Sequence, residues 1–78
     1  MLSQSEFLRR HAEGIVEAYI EGKYSIALTV SQLKDDINLG LRLSEVIAML
    51  DEMIRNRDPQ LQSKVEKTRL EELKKAFA

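Results

Sequence analysis

Apolar residues recur along this chain at the spacing of helices. The densest stretch runs from Leu43 to Ile54, where Leu43, Val46, Ile47, Leu50, Met53 and Ile54 stand at offsets of three, four, seven, ten and eleven residues. That spacing gathers side chains onto one stripe of a helix. Ala48 and Met49 widen the stripe, and so broad an apolar face must be covered by neighbouring segments or by a partner. Upstream, Leu8, Ala12, Ile15 and Tyr19 keep a second stripe, widened by Val16 and Ile20 and ended by Gly22. Beside it Phe7, His11, Gly14 and Ala18 form a column whose small members lie in the middle. Glycine inside a helix costs about 1 kcal/mol against alanine, so Gly14 marks either close approach of another helix or tolerated slack. Ile26, Val30, Leu33 and Ile37 make a third stripe. The last stretch is far more polar, with Lys64, Glu66, Lys67, Arg69, Glu71, Glu72, Lys74 and Lys75. Its apolar residues split between Leu61 with Val65 and, on another side, Leu70, Leu73 and Phe77.

Start and stop signals divide these stripes. Ser3 and Glu6 read as a capping box with Leu2 and Phe7 as its hydrophobic staple, which opens the first helix. The second helix has two possible starts. Thr29-Val30-Ser31-Gln32 reads as a capping box with Leu28 and Leu33 beside it, whereas the stripe that includes Ile26 needs a helix from near Tyr24; the stripe favours the earlier start. Asn38-Leu39-Gly40 closes it, because glycine adopts the positive φ that ends helices. Ser44 is the expected N-cap of the third helix, with Glu45 in its first turn and Arg55 and Arg57 at its end, signs that suit the helix dipole. Asp58-Pro59 marks the start of the fourth. The expected architecture is all-α: one domain over residues 1–78, a small four-helix bundle with helices over 4–21, 24–38, 44–56 and 59–76. It has an N-terminal antiparallel hairpin, a central third helix and a polar fourth helix. In that fourth helix Leu61 and Val65 are expected to dock on the bundle, while Leu70, Leu73 and Phe77 wrap its far end or face another chain.

Gly22-Lys23-Tyr24-Ser25-Ile26-Ala27 resembles the turn and second-helix opening of a tetratricopeptide repeat. The likeness covers about one turn; upstream, His11, Gly14 and Ile15 stand where that family prefers a large aromatic, a leucine and a glycine. It implies an antiparallel helical hairpin and nothing about peptide binding.

Composition narrows the chemistry. Twelve basic and thirteen acidic residues are interspersed in 78, for a formal net charge of -1, so the chain as a whole attracts neither nucleic acid nor an anionic membrane. Without cysteine there is no thiolate metal site and no cysteine nucleophile. No secretion-signal pattern opens the chain and no apolar run approaches the roughly 18 residues of a membrane span, so a cytoplasmic location is expected. His11 is the only histidine and reads as a helix-surface or boundary residue. Asp35-Asp36 and Asp51-Glu52 are adjacent carboxylates, but neighbours on a helix diverge by about 100°, so they read as solvated faces. No phosphate loop or nucleophile motif occurs. No catalytic residue, metal ligand, cofactor or small-molecule substrate is expected.

Two binding roles compete. A small helical interaction module, self-associating as a homodimer or binding a larger protein, would use the flexible Met49 and Met53 with Leu70, Leu73 and Phe77. Alternatively, Leu28 to Leu33, Ile37 to Gly40 and Ser44 to Leu50 resemble the helix-turn-helix of small DNA-binding regulators across residues 29–52. That resemblance implies DNA contacts from Arg42, Ser44, Arg55 and Arg57. Lys34 stands where the motif wants a small residue, and Val46 arrives about two residues late. Glu45, Asp51 and Glu52 put acids on the would-be recognition helix, and DNA affinity is largely phosphate neutralisation. The interaction module is therefore the favoured expectation.

Overall fold

The computed structural model of the chain describes residues 3–57 and 61–77, with side chains for 3–57 and 64–77. Within them lie four helices and no strand: α1 (Gln4–Ile20), α2 (Ile26–Asn38), α3 (Leu43–Arg55) and α4 (Leu61–Phe77). The all-α, four-helix architecture expected from the stripes is the one found. Among the described residues no helix is long and apolar enough to cross a membrane.

Side-chain oxygens set the first two helix starts. The Ser3 hydroxyl accepts from the Glu6 amide at 3.2 Å, as the capping box requires; the Leu2 half of the staple lies outside the described residues. For α2 the cap is Ser25, whose hydroxyl accepts from the Leu28 amide at 3.1 Å. The earlier of the two starts is thus the nearer. Thr29 is buried one turn inside, its hydroxyl donating to the Ser25 carbonyl at 2.8 Å. For α3 the expected cap shifts: Arg42 occupies the N-cap without a side-chain bond, and Ser44 sits within the first turn. The reason lies upstream. After α2, the Leu41 amide bonds to the Asp36 carbonyl and the Gly40 amide to the Ile37 carbonyl, the paired bonds of a Schellman ending. Gly40 has φ +125° and Leu41 is buried beyond it, so the chain re-enters helix at once. Gly22, at φ +84°, closes α1 in the same way, with Lys23 bonded to the Ala18 carbonyl. The Asp58-Pro59 boundary lies outside the described residues.

The helices pack mainly as two antiparallel pairs, α1 with α2 and α3 with α4. α3 supplies Val46, Met49 and Leu50 to the core, and α1 shares its central place, contributing Leu8, Ala12, Ile15, Val16, Tyr19 and Ile20 and touching all three other helices. Leu33, Leu41, Leu70 and Leu73 complete the buried set.

On α4 the expected docking of Val65 is not found, and of the two readings of Leu70, Leu73 and Phe77 the one that packs them on the bundle is the one observed. Leu70 and Leu73 are fully buried and Phe77 packs against the core, whereas Val65 is exposed; the Leu61 side chain lies outside the described residues. Leu70, Leu73 and Phe77 are spaced three and four apart and so form one stripe. Val65, five residues before Leu70, points roughly 140° away from it at 100° per residue. A reciprocal latch fixes which stripe faces inward. The Tyr19 hydroxyl donates to the Arg69 carbonyl at 2.9 Å, and Arg69 Nη1 donates to the Tyr19 and Ile20 carbonyls at 3.2 Å each. Those carbonyls belong to the last turn of α1, which carries no basic residue of its own, so α4 provides the cation that a helix C-terminus favours. Burial and the nearby Glu72 carboxylate push the Tyr19 pKa upward, with Arg69 opposing them.

Candidate functional site

The residues expected to meet a partner do not share one surface. Met49, Leu70 and Leu73 are in the chain's own core, and Met53 and Phe77 are half-buried against it. For Leu70 and Leu73 the expectation of a partner surface is therefore corrected: both are fully buried within the chain's own core. Met49 and Met53 differ, because both line an open groove between α1 and α3.

This groove, of about 430 Å³, has Arg9, Arg10, Glu13, Gly14 and Glu17 on its α1 wall and Met49, Glu52, Met53 and Asn56 on its α3 side. It exists because α1 and α3 meet over less of their length than the members of either antiparallel pair, and because Gly14 presents no side chain. A Cβ built on Gly14 meets nothing within 4 Å, so no helix of this chain approaches closely there. Ion pairs tie the two helices at either end, exposed at Arg9 and half-buried at Arg57. Arg9 Nη2 lies 3.1 Å from Glu52 Oε2, and its Nε lies 3.5 Å from Glu13. Arg57 Nη2 lies 3.7 Å from Glu17, and its Nε lies 3.3 Å from Glu66 without the alignment of a hydrogen bond. The open part between Arg9 and Glu17 spans two helical turns, about 12 Å at 1.5 Å per residue. Arg10 makes no ion pair among the described residues and is exposed. Chemically the groove offers the half-buried Met53 with only 2 % of Met49 exposed beside it, an open backbone wall at Gly14 and rims of both charges.

The residues of the DNA alternative are not gathered. Arg42 and Ser44 are exposed at the start of α3 and Arg55 at its end, roughly 20 Å apart along the axis, and Arg57 is engaged by Glu17 and Glu66. Of all helix pairs α2 and α3 touch least, whereas the two members of a helix-turn-helix form one compact unit.

The carboxylate pairs diverge as helix geometry requires. Asp51 pairs with Lys74 at 2.6 Å and Glu52 with Arg9 on another helix. Asp35 is exposed, but Asp36 is buried at 2 % exposure, so its reading as a solvated residue is corrected. Both Asp36 oxygens lie within 3.0–3.1 Å of Nδ1 of His11, which remains half exposed. A buried carboxylate needs such a partner, and His11, standing in the apolar column of α1, was the available signal. The pair ties α1 to α2. Among the described residues no group of three or more His, Cys, Asp or Glu comes together to hold a metal ion. Comparison with known protein families, characterised proteins and solved structures finds no match for this chain.

Proposed function

We propose that this chain is a non-catalytic helical interaction module that docks a helix from a protein partner in the groove between α1 and α3. The observation that supports it most is the two-turn opening at Gly14 above Met49 and Met53. Helical glycine lowers stability, and here no contact within the chain compensates for it. The partly exposed Met53 suits an adaptable helix-binding floor. The mixed charges at the rim fit an orienting role, setting register more than affinity.

A photo-crosslinking residue at Asn56, on the α3 side of the groove, tests this in the native host. The expected result is an adduct with a discrete polypeptide, whether a second copy or another protein. Gly14→Gln should remove the adduct, since the added side chain enters open space, fills the groove and favours the helix. A crosslinker at Lys67 on the exposed face of α4 serves as control. Equal labelling from Lys67 and Asn56, or labelling unaffected by Gly14→Gln, rules the docking site out.

A further inference from the structure

Resting on that reading of the groove, we infer that its occupant is α1 of a second copy, crossing antiparallel to the first with Gly14 at the crossing. The argument is one of self-complementarity. Arg10 and Glu17 both line the groove on α1, seven residues and hence two turns apart, on the same helix face. Halfway between them stand Glu13 and Gly14. In a closed dimer, residue i of one chain meets j of the other and j meets i. An antiparallel crossing centred between residues 13 and 14 therefore places Arg10 against Glu17 of the second copy twice over. It also lays the Glu13 stem across the open backbone of the opposite Gly14. Arg10, without an ion pair among the described residues, gains one. Glu17 exchanges a 3.7 Å approach to Arg57 for a partner on the other chain. Two lysine- or arginine-rich helices could not pair in this way, and neither could two acidic ones. The arrangement needs one charge of each sign at equal distances from the crossing point, beside a residue without a side chain. A single crossing is small beside the roughly 1,200–2,000 Å² of stable interfaces, so the dimer is weak and salt-sensitive.

Sedimentation equilibrium over a range of concentrations reads this directly. Wild type should associate reversibly, less so at high salt. Arg10→Glu and Glu17→Arg, each alone, should weaken association about tenfold, because each turns two attractive pairs into two repulsive ones. An equimolar mixture of the two variants should recover association to within about threefold of wild type, since every facing pair is again opposite in sign. Unfolding of a variant cannot produce that recovery; circular dichroism of each dilute variant confirms its fold independently. Gly14→Gln should be monomeric with full helicity. A wild type that stays monomeric at high concentration overturns the proposal, as does a dimer indifferent to the swaps, a mixture that fails to recover or a Gly14→Gln variant that still pairs. Should the chain be monomeric while Asn56 still crosslinks another polypeptide in a Gly14-dependent way, the second copy is refuted and the docking groove stands. Loss of both refutes the two together.

Discussion

Alanine in place of Gly14 should make the folded chain more stable. Gly14 lies in the interior of α1 at an ordinary negative φ, and glycine there is about 0.5–1 kcal/mol worse than alanine because the unfolded chain loses more freedom on folding. Against that gain a methyl group can cost stability only by meeting something, and nothing lies within 4 Å of the position it would take. It also buries little, so no large packing gain adds to the effect. For a chain of this size each kcal/mol moves the melting temperature by about 4–8 °C, which puts the expected rise at about 2–8 °C. Thermal melts followed by circular dichroism in dilute solution measure it free of any association. The same substitution at Gly22, held at φ +84°, should act in the opposite direction, by about 1 kcal/mol or more, because a side chain there is strained. A Gly14→Ala melting temperature equal to or below that of wild type would refute the reasoning: it would mean that the wall of the groove is occupied. In concentrated solution the two effects of Gly14→Ala should separate, the monomer gaining stability while the dimer loses affinity.

Tyr19→Phe removes the hydroxyl that donates to Arg69 and should cost about 0.5–1.5 kcal/mol near neutral pH. Because the Tyr19 pKa is raised above its usual value near 10, the contribution is fully present below pH 10 and is lost as pH rises through the higher folded-state value. The difference between variant and wild type in urea titrations should therefore shrink at strongly alkaline pH, and a difference that grows there would contradict the latch. His11→Ala leaves the buried Asp36 carboxylate without its side-chain partner and should cost about 1–3 kcal/mol. His11→Ala combined with Asp36→Leu should recover part of that loss in the same titration. Leu73→Ala opens a cavity at a fully buried site and should cost about 2–5 kcal/mol, enough to leave much of so small a domain unfolded; a Leu73→Ala variant as stable as wild type would return Leu73 to the surface.

What the sequence reveals and what it hides divide along the range of the interactions. Helix number and order follow from local periodicity, and the endings at Gly22 and Gly40 from the positive φ that each adopts. The α2 start at Ser25 is also local, yet the capping box at Thr29 competes with it one turn later, and burial of Thr29 inside the helix decides against the later start. The inward face of α4 is not local at all. Two apolar groups about 140° apart are equally good helix stripes, and the choice between them depends on where α1 ends, because Arg69 must reach the Tyr19 and Ile20 carbonyls some fifty residues earlier in the chain. Asp36 reads as solvated for the same reason: nothing within α2 reveals that His11 faces it. The methionines of α3 were legible as adaptable side chains, but their groove is made by Gly14 on another helix.

The seam between the two helix pairs is uneven in character, and the proposed docking draws on that unevenness. Along its inner side α1 and α3 share an apolar core through Ala12, Val16, Val46, Met49 and Leu50, which water cannot reach and salt cannot screen. Along its outer side the same helices are joined by ion pairs, the exposed Arg9 with Glu52, worth about 0–1 kcal/mol, and the half-buried Arg57 with Glu17 at a loose 3.7 Å. A second helix entering from outside can therefore exchange these pairs for equivalent ones of its own at little net cost while the core beneath stays closed. A seam sealed by leucines on both sides would have no such surface to exchange, and one held by ion pairs alone would open on binding. The combination lets the fold remain intact whether or not the groove is filled, as the proposed docking requires.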